Sequence, residues 1–250
     1  MSKYIIDKNK LIENINIIKE KAGVEVIGVV KGNGYGFGMA NLAEILMQNG
    51  IKTFAVTEVY DIPLLRETVL DNDILVMRST CVEEEAKTIA QYDCIATIGS
   101  LSSAEVMDKV SKELGKKTKC HLKIDTGMGR YGFLPSQVES AIKCYDFENL
   151  DFCGAYTHFS SAFHNVQLTK VQLEMFKDTI KQIEKAGKSV GKLHASNSPA
   201  LLNVDGVSLD AVRIGSAFTG RVITKDKNPL NRLGKLEAQV IETKTVPIGN

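Results

Sequence analysis

The sequence predicts a closed (β/α)8 barrel of the TIM type, on three observations. Strand-type and helix-type segments alternate about eight times, which argues for a parallel sheet with helical crossovers. The length of 250 residues is that of one such barrel. No low-complexity linker divides the chain. The expected barrel domain covers residues 1–228, and a different, strand-like pattern begins over residues 229–250.

Residues 7–22 place Leu11, Ile12, Ile15 and Ile18 at helical spacing, with Gly23 as a stop. The first barrel strand runs through Val24, Val26, Ile27, Val29 and Val30 and ends abruptly on Lys31, where four glycines follow within seven residues. A helix over residues 39–49 is closed by Gly50, and a strand at 53–58 leads to a helix near 62–69. The strand at 73–79 feeds a helix headed by Glu83, Glu84 and Glu85, which suit its positive N-terminus. The strand at 94–99 runs into Ser100, a good N-cap for a helix over 101–114. Next come a strand at 119–125 with a helix from Pro135, and a strand at 152–159 with a long helix over 167–186. A strand at 192–198 with a short helix and a strand within 210–220 complete the round. Beyond them, residues 236–246 alternate as an amphipathic strand.

Composition narrows the class. Hydrophobic residues at 44% and charged residues at 24% fit a soluble globular protein with a sizeable core. A net charge of +1 gives no electrostatic reason to expect nucleic acid or an anionic membrane as partner. No apolar stretch is long enough for a bilayer, and the first residues lack the apolar core of a secretory signal. Five scattered cysteines without a CxxC pair argue for reduced thiols, neither a disulfide frame nor a zinc site. The cytoplasm is the expected location, and no metal is expected.

In a barrel of this kind chemistry sits at the C-terminal strand ends. Lys31, the turn from Thr126 to Arg130, His158, Asn197, Ser198, Arg213, Gly215 and Ser216 all fall there. A lysine against low-dielectric walls has its ammonium form destabilised, which makes the nucleophilic amine accessible. Each residue also has a plainer reading: a solvated Lys31, a core His158, an ion-paired Arg213, a helix start at Ser198-Pro199. Jointly they point to one mouth. Ser198 with Gly215-Ser216 suits a phosphate, which barrels commonly bind after their last two strands. A reactive lysine across from such a cradle suggests pyridoxal phosphate held as a Schiff base.

The motif VVKGNGYGFG (residues 29–38) resembles the lysine motif of the alanine racemase family. KIDTGMGRYGF (123–133), YTHFSS (156–161), HASNSPALL (194–202) and VRIGSAFTG (212–220) resemble its later motifs, in the same order. The resemblance implies a pyridoxal-phosphate-dependent racemase of L- and D-alanine, or of serine, working by two-base α-proton exchange. It implies that Lys31 carries the cofactor and acts as one base. Tyr35, Ser198, Gly215 and Ser216 would hold the phosphate, with Asn197 in support. Arg213, oriented by His158, would donate to the pyridine nitrogen. Arg130 would bind the substrate carboxylate, and Lys123 would be open to carbamylation.

Departures accompany the likeness. Phe37 replaces the family's usual histidine, and Gly32 and Gly34 replace alanines, which is expected to loosen the loop. The family's second base is a tyrosine of a C-terminal β domain, supplied across a homodimer, and no tyrosine follows Tyr156 here. This chain alone is therefore expected to be impaired in two-way turnover. The alternative reading is a non-enzymatic pyridoxal-phosphate carrier on the same barrel, which would have no use for Arg130. A decarboxylase is disfavoured by Arg213, where an acidic partner would be normal.

Overall fold

The structure, a computed structural model, describes residues 2–249. Eight strands close into a barrel in the order β2 (Glu25–Val29), β3 (Thr53–Val56), β4 (Asp73–Ser79), β5 (Ile95–Ile98), β6 (Thr118–Lys123), β7 (Leu150–Tyr156), β8 (Lys192–His194) and β9 (Ala211–Ile214). Every neighbouring pair is parallel, and β9 returns to β2 with Ile27 opposite Arg213. The expected (β/α)8 barrel is what the chain forms.

Local signals act as their chemistry requires. The helix Lys8–Ala22 starts where the Asp7 carboxylate accepts from the backbone of Asn9 and Lys10, and ends on Gly23 at φ 61°. Ser100 and Ser103 cap the helix Leu101–Glu113 reciprocally. The helix Val166–Lys185 follows β7 and begins at Asn165, whose side chain accepts from Leu168 N.

Alternate strand residues face opposite ways. One set, including Val26, Phe54, Ile74, Leu122 and Val212, packs against the surrounding helices in the main core. The other set fills the barrel, and it is divided. On the β2–β5 side Ile27, Val29, Ala55, Leu75 and Ile95 form an apolar wall. On the β6–β9 side stand His121, Lys123, Tyr156, His194 and Arg213, all buried. Burying so many polar groups is costly unless they are paired, so this half is a network and not merely packing.

Two expectations change outside the barrel. Lys3–Ile6 forms β1, which the sequence reading missed, and it pairs antiparallel with β10 (Gly234–Glu237). The strand expected over 236–246 is confined to its first residues, and residues 238–247 are exposed without regular structure. Alternation alone does not make a strand where no neighbour accepts its backbone hydrogen bonds.

Candidate active site

The backbone after β2 turns left-handed. Gly32, Asn33, Gly34 and Tyr35 have φ of 60°, 51°, 62° and 56° in succession. A side chain in this conformation costs roughly 1–2 kcal/mol, and glycine at 32 and 34 removes that cost at two of the four positions. The turn is closed by Gly34 N donating to Val30 O and Gly36 N to Gly32 O, and Asn33 Oδ1 accepts from Met39 N at 3.0 Å. The glycines therefore build a defined turn where a loosened loop was expected. It leaves Lys31 half-buried at the barrel mouth and directs Tyr35 towards β9.

Lys31 lines a cavity of about 260 Å³ with Glu58, Arg78, Lys123, Arg130 and His158. Burial and then the Arg130 charge lower its pKa, with Glu58 opposing. Lys123, only 3% exposed, is held well below the usual lysine range by burial and then Arg213, and its Nζ has no hydrogen-bond partner. Its ammonium would lie 4.8 Å from the centre of the Tyr156 ring. The cavity thus gathers several basic side chains against the single carboxylate of Glu58, a setting for an anionic ligand.

Arg130 reaches this wall because its loop is fixed. The carboxylate of Asp125 accepts from the backbone N–H groups of Gly127, Met128, Gly129 and Arg130, at 2.8–3.2 Å. Phe133 closes the stem, donating to Lys123 O and accepting from Asp125 N. Gln172, on the helix Val166–Lys185, donates to Thr126 O and accepts from Ser160 N and Oγ, tying two mouth loops together. Burial raises the Asp125 pKa, but the backbone N–H groups of Gly127, Met128 and Arg130, with the Lys123 charge, bring it below the ordinary value. Its contribution to stability is fully present above the ordinary value of 3.8 and is lost as pH falls from there through the lower native value. Asp125→Ala is expected to cost roughly 2–3 kcal/mol at neutral pH and to flatten this acid limb, as urea unfolding at several pH values would measure.

Arg213 is 3% exposed. Nη1 lies 2.7 Å from His194 Nδ1 and donates to His194 O, while Nη2 donates to the carbonyls of Thr157 and Ala195 at 2.7 and 2.9 Å. Both terminal nitrogens are engaged, and Nε has no partner among the described residues. His158 Nδ1 stands at 3.4 Å from Nη2, so the main support of Arg213 is His194 and the carbonyls rather than His158. Burial brings the Arg213 pKa down to about 10, which leaves it charged at neutral pH. Burial and the Arg213 charge push His158 down to about 2, so its ring is neutral.

The remaining predicted residues gather beside Arg213. Ser198 Oγ accepts from Gly215 N at 3.2 Å and Ala217 N at 3.3 Å. The Tyr35 hydroxyl lies against the backbone of Gly215 and Ser216, and burial raises its pKa to about 12. A Cβ on Gly215 would collide with that hydroxyl. Asn197 caps the helix Ser198–Asn203, accepting from Ala200 N, and its Nδ2 lies 3.5 Å from His158 Nε2. Two hydroxyls and three backbone N–H groups thus converge in one place, a donor set with the chemistry to hold phosphate.

A profile of the alanine racemase N-terminal domain matches residues 6–222. The chain belongs to this family. Alanine racemases from Methanococcus maripaludis and Treponema denticola are 33% and 34% identical to it, over 96% and 92% of this chain. The chain spans only 65% and 62% of the length of these relatives. An alanine racemase from Clostridium difficile 630, in complex with cycloserine, superposes with a TM-score of 0.88 at 28% identity, over 94% of this chain and 67% of that one. Another from Bartonella henselae, with covalently bound pyridoxal phosphate, superposes with a TM-score of 0.87 at 25% identity, over 98% of this chain and 71% of that one.

Lys31, Lys123, Arg130 and His158 share one cavity at the mouth of this barrel. Sequence reasoning missed His194, His121, Asp125, Gln172 and Tyr156. The signal available for the first two was a histidine within each of two barrel strands, on the face that closure turns inward.

Proposed function

We propose that this chain is the cofactor-binding part of a pyridoxal-phosphate-dependent amino-acid racemase, acting on alanine or a similarly small amino acid such as serine. The observation that carries this reading is Lys31 on a cationic cavity, with the donor cluster of Tyr35, Ser198, Gly215 and Ser216 at the same barrel mouth. The fit to pyridoxal phosphate also rests on Arg213, whose free Nε suits a pyridine nitrogen, and on the unpartnered Nζ of Lys123.

When bound, the cofactor supplies an electron sink that acidifies the α-proton of an amino acid attached to it. Lys31 holds the cofactor, and its lowered pKa keeps the amine able to accept a proton at Nζ. Tyr35, still a phenol at neutral pH, donates to the phosphate with Ser198 and the backbone of Gly215 and Ser216. Arg213 would face the cofactor's pyridine nitrogen as a donor that keeps its own proton, chemistry that suits return of the α-proton over transamination. Arg130 receives the substrate carboxylate, a role a mere carrier would not need.

Lys123 we read as carbamylated. A neutral amine adds carbon dioxide and releases a proton to solvent, and the resulting carbamate anion would offset the charges of Arg213 and Arg130 that now oppose the ammonium. Carbon-13 bicarbonate should give a carbamate resonance that disappears in Lys123→Ala. A wild-type spectrum without that resonance would overturn the assignment.

We also read residues 229–250 as the start of a C-terminal β domain, with the full protein a homodimer that supplies the second base. A cytoplasmic location suits this reading. Among the described residues no helix is long and apolar enough to cross a membrane. The deciding experiment incubates the pyridoxal-phosphate-loaded chain with alanine and with serine in deuterated water. Exchange of the α-proton is expected, with alanine preferred. Cofactor uptake without exchange of either amino acid would favour the carrier.

A further inference from the structure

Below the mouth the barrel holds two imidazoles in series that the proposed chemistry does not use. His121 Nδ1 lies 2.9 Å from His194 Nε2, and His194 Nδ1 lies 2.7 Å from Arg213 Nη1. The rings are 3% and 0% exposed. A guanidinium can only donate, so His194 Nδ1 must be the acceptor and its proton sits on Nε2. That N–H then donates to His121 Nδ1, which places the His121 proton on Nε2 as well. One cation at the end of the row fixes the tautomer of both rings.

The surroundings hold the rings in place and keep them neutral. Tyr156 stacks on His194 with ring centres 4.8 Å apart and planes 8° from parallel. Its hydroxyl is pinned between Thr97 Oγ1 and Met77 O, both at 2.9 Å. His121 fits only because β7 carries Gly154 beside it, where any Cβ would run into the imidazole. Burial, Lys192 and Arg213 hold His121 down to about 4, against the opposing pull of Asp73 and Glu25. Burial and Arg213, then His121, Lys192 and Lys123, keep His194 well below the usual imidazole range. A second proton on either ring would set two donors face to face.

The geometry points to His194 and His121 as positioning residues for Arg213. They hold Nη1 from the barrel interior while the carbonyls of Thr157 and Ala195 hold Nη2, so Nε alone is presented to a ring nitrogen in the mouth. The identity of that ligand rests on the pyridoxal-phosphate reading, whereas the tautomers stand on the chain itself.

The test has two arms. In cofactor-free protein labelled with nitrogen-15 histidine, two-bond correlation spectra should show the Nε2–H tautomer for both rings, without titration between about pH 5 and 8. An Nδ1–H tautomer at either ring, or titration in that window, overturns the relay. In the second arm His194→Leu should weaken pyridoxal phosphate binding about tenfold and shift the absorption of the bound cofactor. His194→Asn, whose amide oxygen stands at the position of Nδ1 and can accept from Nη1, should restore most of both. Wild-type affinity and spectrum in His194→Leu would overturn the proposal, as would equal losses in both variants tracking a lowered melting temperature. Wild-type protein that takes up no pyridoxal phosphate refutes the cofactor reading, and the cofactor-free tautomers still decide the relay.

Discussion

Lys31→Ala is expected to abolish covalent capture of pyridoxal phosphate: after borohydride treatment the variant should carry no pyridoxyl mass, while the wild-type chain carries one. The argument turns on choosing between two lysines on one cavity wall. Lys123 is the more deeply buried, has its pKa lowered further and lacks a partner, so by basicity alone it is the better nucleophile at neutral pH. Position decides otherwise. Lys123 ends β6 inside the barrel with its Nζ against the Tyr156 ring, whereas Lys31 is half-buried at the mouth, on the turn that also carries Tyr35. A group bound through Tyr35 and Ser198 at one end meets Lys31 through a single rigid turn. Capture that survives in Lys31→Ala and vanishes in Lys123→Ala would reverse the assignment.

The barrel was legible because its strands are buried on both faces and therefore read as apolar runs between amphipathic helices. Asp73–Ser79 and Ile62–Val69 fall where periodicity puts them. Lys3–Ile6 was not legible: all four residues are exposed, and the partner strand lies at the far end of the chain. Lys31, Arg130 and Arg213 could be placed from their positions at strand ends. Their supports could not, for different reasons. Gln172 occupies an ordinary polar position of an amphipathic helix until the fold brings Thr126 and Ser160 to it. Asp125 looks like a turn residue, and only the folded loop brings four N–H groups around its carboxylate. His194 and His121 become a pair only once β6, β7 and β8 lie side by side.

Gly215→Ala should be as damaging to phosphate recognition as the lysine change is to capture. Gly215 has φ −140° and ψ −80°, outside the left-handed region, and the space beside it decides the effect of the substitution. The new Cβ collides with the Tyr35 hydroxyl and the ring edge behind it. Tyr35 cannot swing aside cheaply, because it closes a left-handed turn whose φ values are all set by the bonds back to Val30 and Gly32. Either the tyrosine leaves the cradle or β9 moves away from Ser198, and each removes charge-assisted donors from the phosphate. Affinity for pyridoxal phosphate is expected to fall on the order of 100-fold, with overpacking costing about 1–3 kcal/mol of stability. Unphosphorylated pyridoxal separates this from general damage, since its capture by Lys31 needs no cradle and should be nearly unchanged. Equal losses for both compounds in titrations followed by absorbance would mean that Gly215 serves the fold alone, and that the phosphate is held elsewhere.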